Sequence, residues 1–344
     1  MNKPKIYIRN RNGILDGIIK SEEFERVDNP SDADCLVLWQ DVRGELAELA
    51  KINRKHLHKP LVVVQHGAGG SRDYGHPVNF EFMSDKFCCW GTSDYDRLVK
   101  FGHKDKAVIT GCPITNQFKP KKVEDDKNIV FCPVATEHEE PSNLIVFYEL
   151  KRLEMKYSQK NIMDHRKELE KGWKPTTFNL DNKLAESNIP YLDISKNFRL
   201  VAKLLPSHDK ALYLGSACVS SVHSPTHVED CVKLLSHTSV VVGMLESTFV
   251  LQAMAMDVPV VICEEYEFKT YGDHEYTNWD HIKTEGATYC KLGDLTRVVE
   301  GEVANPGRLA KERKAVALRE FGDTNSDPDK KITEVIKELI NGGK

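Results

Sequence analysis

Five short runs, KIYIRN (5–10), DCLVLWQD (34–41), PLVVVQHG (60–67), KFCCWGTS (86–93) and KAVITGCP (106–113), punctuate the first third of the chain. Longer polar or amphipathic segments separate them. Within each run the apolar residues do not alternate with polar ones, so both faces of each extended segment have to be covered. Strands of that kind, joined by helix-length connections, fold as a parallel sheet with helices on either side. The segment SDYDRLVKFG (93–102) reads as one such helix, with Ser93 as N-cap, Asp96 as its capping-box partner and Gly102 as its stop.

A charged, proline-bearing stretch, FKPKKVEDDKN (118–128), interrupts the pattern and reads as a domain break. The pattern restarts with NIVFCPVAT (128–136), a helical stretch from about 141 to 172, and the strand-like FRLVAKLLP (198–206). In HVEDCVKLLSHT, residues Val228, Cys231, Val232 and Leu235 share one helix face. SVVVGMLESTFVLQAMAMDVPVVICEE (239–265) reads strand, tight turn, helix, strand, a βαβ unit of the right-handed kind. The last segment, ITEVIKELI (332–340), again keeps one face apolar. The expectation is α/β, with two doubly wound, Rossmann-like domains facing each other across a cleft. They span 1–122 and 123–325, with a C-terminal helix over 326–344 placed to pack back on the first. A length of 344 residues suits two domains.

The start, MNKPKIYIRN, has no apolar signal-peptide stretch, and no window holds the roughly 18 apolar residues of a membrane span. A cytoplasmic protein is expected. Its nine cysteines contain no C-x-x-C pair, and most sit in apolar runs (Cys35, Cys88, Cys132, Cys263), where a thiol acts as a small hydrophobe. They read as reduced packing residues.

In a doubly wound sheet, ligands collect at the carboxyl ends of the strands, where helix N-termini offer unpartnered amides to anions. Two places fit. One is Gln65-His66-Gly67, followed by Gly69 and Gly70, glycines that let a ligand approach the backbone. His66 there reads either as a loop histidine bonded to backbone or as a cleft base. The other is GMLEST, Gly243 to Thr248, where Ser247 and Thr248 offer hydroxyls beside helix-start amides and Ser247 is equally a plain N-cap. Glu246 lies inside this turn and Glu264 and Glu265 end the next strand; each is a candidate for ribose hydroxyls or a turn cap. His223, His227, His274 and His281 are scattered and read as surface or turn residues.

SDKFCCWGTSDYDRLVKFGHKDKAVITGCPITNQF (84–118) resembles the segment that closes the N-terminal domain of GT-B fold transferases. SHTSVVVGMLESTFVLQAMAMDVPVVICEEYEFKTYGDHEY (236–276) resembles the C-terminal domain of the CDP-glycerol glycerophosphotransferase-like group, with VVVQHGAGG and NIVFCPVAT in matching places. The likeness covers most of residues 60 to 275. It implies a nucleotide-activated donor on the C-terminal domain, a hydroxyl acceptor on the N-terminal domain, and transfer between them. By position it makes His66 the general base or acceptor-positioning residue and Ser247 with Thr248 the donor pyrophosphate contacts; Gly67 and Gly243, from the strand-end turns, and the carboxylates Glu246 and Glu265 are expected beside them on the donor. The group carries a His-Pro pair after its K-L strand. Here the run is VAKLLPSHD, with Leu205 before Pro206 and the histidine displaced to His208, while Lys203 on the same strand stands ready for an anion.

No cofactor or metal is expected, because the acidic pairs DAD (32–34) and DPD (327–329) precede a strand and a helix rather than ending a strand. Residues 1–122 hold 20 Lys and Arg against 16 Asp and Glu, in a chain of net charge -4. A slightly basic acceptor domain suits an anionic acceptor: a phosphate polymer, an acidic glycan or a hydroxymethylated DNA base. No nucleic-acid motif appears, and the basic cluster KINRKHLHK (51–59) also reads as a solvated helix face. The leading reading is a glycosyltransferase moving a sugar from a nucleotide-activated donor. Beside it stand a CDP-glycerol type polyol-phosphate transferase, a non-hydrolysing sugar-nucleotide epimerase, a non-catalytic nucleotide-binding relic and a two-lobed solute-binding protein.

Overall fold

The structure, a computed structural model, describes residues 3–10, 13–42, 44–67, 82–118, 128–133, 145–156, 199–203, 221–223, 228–244, 247–264, 284–323 and 326–342. The first sheet contains β1 (Lys5–Ile8), β2 (Glu25–Val27), β3 (Cys35–Leu38), β4 (Leu61–Val64), β5 (Lys86–Cys89) and β6 (Ala107–Ile109), in the order β2-β1-β3-β4-β5-β6. The second contains β7 (Asn128–Cys132), β8 (Arg199–Lys203), β9 (Ser221–His223), β10 (Thr238–Gly243), β11 (Val260–Cys263) and β12 (Thr288–Cys290), in the order β12-β11-β10-β7-β8-β9. Every pairing is parallel. The first order reverses between β1 and β3, and the second, which is the Rossmann order, between β7 and β10. Those reversals are where doubly wound sheets leave a crevice for ligands.

The helices are α1 (Asp16–Lys20), α2 (Gly44–Ile52), α3 (Thr92–Lys100), α4 (residues 145–156), α5 (Val228–Ser236), α6 (Thr248–Ala255), α7 (Leu295–Ala304), α8 (Ala310–Phe321) and α9 (Pro328–Gly342). Strand periodicity sorts the second core into two faces. Ile129, Phe131, Val240, Val242 and Val261 meet Val146, Phe147 and Leu150 of α4 and Val299 of α7. The intervening Val130, Cys132, Val241, Val260 and Ile262 meet Leu235 of α5 and Phe249, Val250 and Ala253 of α6. The stretch expected to be helical from 141 to 172 is helical over 145–156, and the remainder lies outside the described residues, as do 119–127 of the expected break.

That second face continues without interruption into the first sheet, through Ile8, Val37, Val64, Cys88 and Trp90. The junction is the end of α8. Phe321 packs on Trp90 with ring centroids 5.7 Å apart and on Phe118 at 6.3 Å, and the Cys112 N–H donates to the Phe321 carbonyl at 2.9 Å. Gly322 follows at φ +81°, and a Cβ there would stand 2.6 Å from the Trp90 carbonyl oxygen. Beyond it, α9 packs Ile332, Val335 and Ile336 against α1 and the first sheet. No helix among the described residues is long and apolar enough to cross a membrane.

The start of α3 corrects one expectation. The helix begins at Thr92, its N-cap is Gly91 with no side-chain cap, and Ser93 lies inside the first turn. A glycine is needed at 91 because any Cβ there would fall onto the Arg319 carbonyl oxygen of α8. Close packing of two helix termini therefore overrides the capping box. Gly102 does end the helix, at φ +87°.

Candidate functional site

β4 ends at Val64, and the next residue, Gln65, is fully buried. Its side-chain oxygen accepts the Trp90 N–H at 2.7 Å, and its amide nitrogen donates to Asp94 Oδ2 at 2.6 Å and to the Gly67 carbonyl at 2.9 Å. Asp94, also buried, takes Arg97 Nη1 at 2.9 Å on its other oxygen. Gln65 thus ties the turn after β4 to the end of β5 and the first turn of α3, the latter two through buried hydrogen bonds. Glu320 of α8 belongs to the same neighbourhood: burial, and next the Asp94 charge, raise its carboxyl above the usual range.

His66 is thereby placed on a braced turn. Its Nδ1 lies 3.0 Å from the Trp39 carbonyl oxygen at the end of β3, and its ring meets the Trp39 indole edge-on with centroids 4.6 Å apart. A carbonyl oxygen only accepts, so Nδ1 carries the proton and the neutral ring has its lone pair on Nε2. The backbone-bonded and base readings of this histidine are therefore compatible, since the backbone bond selects the tautomer a base requires.

The second part of the site starts where β10 ends. Gly243 pairs with Cys132 of β7 and Ile262 of β11, at the reversal of strand order. Ser247 is the N-cap of α6, and its Oγ accepts the Val250 N–H at 3.3 Å and lies 3.6 Å from Cys132 Sγ. Thr248 opens the helix. An ideal Cβ built on Gly67 would stand 3.3 Å from Thr248 Oγ1, so the turn after β4 and the start of α6 lie against each other. The carboxyl ends of the two sheets meet here, with the imidazole-bearing turn on one side and a helix N-terminus on the other.

Other expected residues fall as follows. Lys203 ends β8 in register with His223 of β9, two strands from β10. Glu264 follows β11, its N–H donating to the Cys290 carbonyl at 2.8 Å and its own carbonyl accepting Lys291 Nζ at 2.6 Å. His208, Glu246, Glu265, Gly69, Gly70, His227, His274 and His281 lie outside the described residues. The basic cluster 51–59 includes a π-turn, Asn53–Leu57, closed by the buried Asn53 side chain, whose Nδ2 donates to the Lys59 carbonyl and whose Oδ1 accepts the Lys59 N–H. It precedes β4 and so lies at the opposite end of that strand from His66. Among the described residues, no three His, Cys, Asp or Glu side chains gather as a metal-holding group. Spacing alone did not point to Trp39, Asp94 or Trp90, whose roles arise from contacts between distant segments.

No protein-family model matches the chain, and no curated protein matches it in sequence. Solved structures do. The wall teichoic acid polymerase TagF, in a variant soaked with CDPG, aligns at a TM-score of 0.58 and 9% identity over 100% of this chain and 90% of that one. Alr3699/HepE of Anabaena in complex with UDP aligns at 0.51 and 10% identity over 98% of this chain and 100% of that one. The UDP-GlcNAc 2-epimerase of Methanocaldococcus jannaschii, in complex with UDP-GlcNAc and UDP, aligns at 0.50 and 12% identity over 98% and 99%. At such identities the likeness is one of fold. The class is a doubly wound α/β protein with two parallel sheets meeting at their carboxyl ends. More specifically, the chain has the GT-B fold.

Proposed function

We propose that this chain is a nucleotide-dependent glycosyltransferase, transferring a sugar from a nucleotide-activated donor to a hydroxyl acceptor. The observation that carries the reading is the apposition of Gly67 to Thr248, which sets the His66 turn against the N-terminus of α6. In this reading the amides opening α6, with the Ser247 and Thr248 hydroxyls, hold the donor's phosphates and stabilise the charge that grows on them as the glycosidic bond breaks. His66 Nε2 takes the acceptor's proton as its oxygen attacks, and Trp39 holds the tautomer that leaves Nε2 basic. Gly243 keeps the backbone close beneath the phosphates. Lys203, His208, Glu246 and Glu265 are assigned to the donor side from their places in the sequence: Lys203 and the displaced His208 on and after the K-L strand, Glu246 in the turn after β10 and Glu265 after β11. The reading needs no metal, since helix amides supply the stabilisation a divalent ion would otherwise give. The acceptor, a hydroxyl compound, anionic ones included, is assigned to the first sheet.

Support comes from the ligands named for the structural neighbours: CDPG for TagF, UDP for HepE, and UDP-GlcNAc with UDP for the epimerase. The TagF likeness favours a second reading, in which a polyol phosphate rather than a sugar is transferred from a cytidine nucleotide. A thermal-shift panel of UDP, CDP, GDP, dTDP and ADP, with and without Mg²⁺, tests both, because a ligand of the native state raises the melting temperature by mass action. The expected result is a selective, Mg²⁺-independent rise with one nucleotide, cytidine favouring the second reading. A flat panel overturns both.

A further inference from the structure

β11 and β12 pair in parallel with Cys263 directly opposite Cys290 at their carboxyl ends. Both side chains belong to one apolar cluster, with Met244, Leu295 and Val299, on the face covered by α4 and α7. Cys263 is fully buried, whereas Cys290, on the edge strand, is 8% exposed. Adjacent strands stand about 4.7–4.9 Å apart, inside the roughly 4.4–6.8 Å between Cα atoms that a disulfide spans. We propose that Cys263 and Cys290 are a modification site, a thiol pair that hydrogen peroxide converts to a reversible disulfide.

The chemistry balances. Cys290 loses its proton to solvent and its sulfur attacks the peroxide oxygen. The O–O bond breaks, and hydroxide leaves to become water, giving a sulfenic acid. Cys263 sulfur then attacks Cys290 sulfur, the S–S bond forms, the S–O bond breaks, and the departing hydroxide takes the Cys263 proton. Two thiols are oxidised by two electrons, and one peroxide is reduced to two waters.

Among the described residues no other two thiols stand opposite each other on paired strands. Cys88 and Cys89 are consecutive and enter different core clusters, and Cys35 lies two strands from Cys88. Burial pushes the Cys88 and Cys112 thiols up to about 12 and raises Cys35 and Cys89 as well. Cys290 alone among these is lowered, first by the Cys263 hydrogen bond and last by Arg297, against burial and the charges of Asp294 and Glu264.

The test is a hydrogen peroxide pulse on the full chain, followed by acid quench, unfolding, alkylation and peptide mapping. Expected is a linked peptide pair containing Cys263 and Cys290, released by dithiothreitol and formed at least about tenfold faster than oxidation of Cys35, Cys88 or Cys112. In Cys263→Ser, Cys290 is expected to stop as a sulfenic acid that dimedone traps. Full alkylation of both thiols after the pulse, or a link from either to another cysteine, overturns the proposal. The wild-type map decides the matter even where the variant does not fold.

Discussion

Replacing Gln65 by Glu changes one nitrogen to oxygen at constant shape, and the structure fixes what that does. The Trp90 N–H keeps its acceptor at 2.7 Å. The two bonds donated by the amide nitrogen, to Asp94 Oδ2 and the Gly67 carbonyl, are lost and become oxygen–oxygen contacts at 2.6 and 2.9 Å. The lost bonds leave Asp94 and the half-buried Gly67 carbonyl one donor short each, at about 1 kcal/mol apiece, and a second carboxylate beside the buried Asp94 adds repulsion, giving roughly 4 kcal/mol at neutral pH. The introduced carboxyl has its folded pKa raised by burial and by Asp94 above an unfolded value of about 4.3. The native state then holds a proton that the unfolded state has released, so relative to wild type stability falls as pH rises from about 4.3 through the folded pKa. Gln65→Leu loses all three hydrogen bonds without adding a titrating group, so its deficit of about 3 kcal/mol or more changes little between pH 5 and pH 8. Urea denaturation of the three proteins at pH 5 and pH 8 measures both quantities. A Gln65→Glu protein as stable as wild type at pH 8, or equally destabilised at both pH values, would refute the buried network that braces His66.

Three further perturbations test the frame around the site. Asp329, at the start of α9, has its carboxyl raised to about 6 by burial, with Asp327 and Asp16 adding to it, and its Oδ1 is buried without a hydrogen-bond partner. Its contribution therefore falls as pH rises from about 4 to about 6, and Asp329→Asn should flatten that fall and gain about 1 kcal/mol at pH 8, a value discounted for partial solvent screening; thermal melts at pH 4 and pH 8 check the sign. Gly322→Ala combines a left-handed φ with a Cβ 2.6 Å from the Trp90 carbonyl oxygen and should cost about 3 kcal/mol or more by urea denaturation. Ser247→Ala removes the cap bond to Val250 and should cost about 1 kcal/mol in the same assay.

The central strands are legible because burial on both faces leaves an unbroken apolar run rich in valine, as in Val240–Val242 or Leu61–Val64. Edge strands are not: β2 and β12 are three residues each, with partly exposed positions that leave no apolar run to read. The two carboxyl-end turns also stand out, since glycines and polar residues at the end of a buried run have no packing reason to be there. What makes them a site comes from distant partners. The His66 tautomer depends on Trp39, 27 residues earlier, and the Gln65 brace on Asp94, 29 residues later. The start of α3 was misplaced for the same reason, because Gly91 answers to α8.

The most direct test of the account is to measure nucleotide affinity and turnover together in wild type and His66→Asn. Calorimetry follows binding of the nucleoside diphosphate selected in the thermal-shift panel, and release of that nucleotide from its activated donor follows turnover. The account predicts that His66→Asn binds the nucleotide within about twofold of wild type while turnover falls by about 10²–10⁴, the usual contribution of a general base. Turnover undiminished in His66→Asn would contradict the assignment of His66, and with it the pairing of an acceptor-side base with the phosphate-binding start of α6.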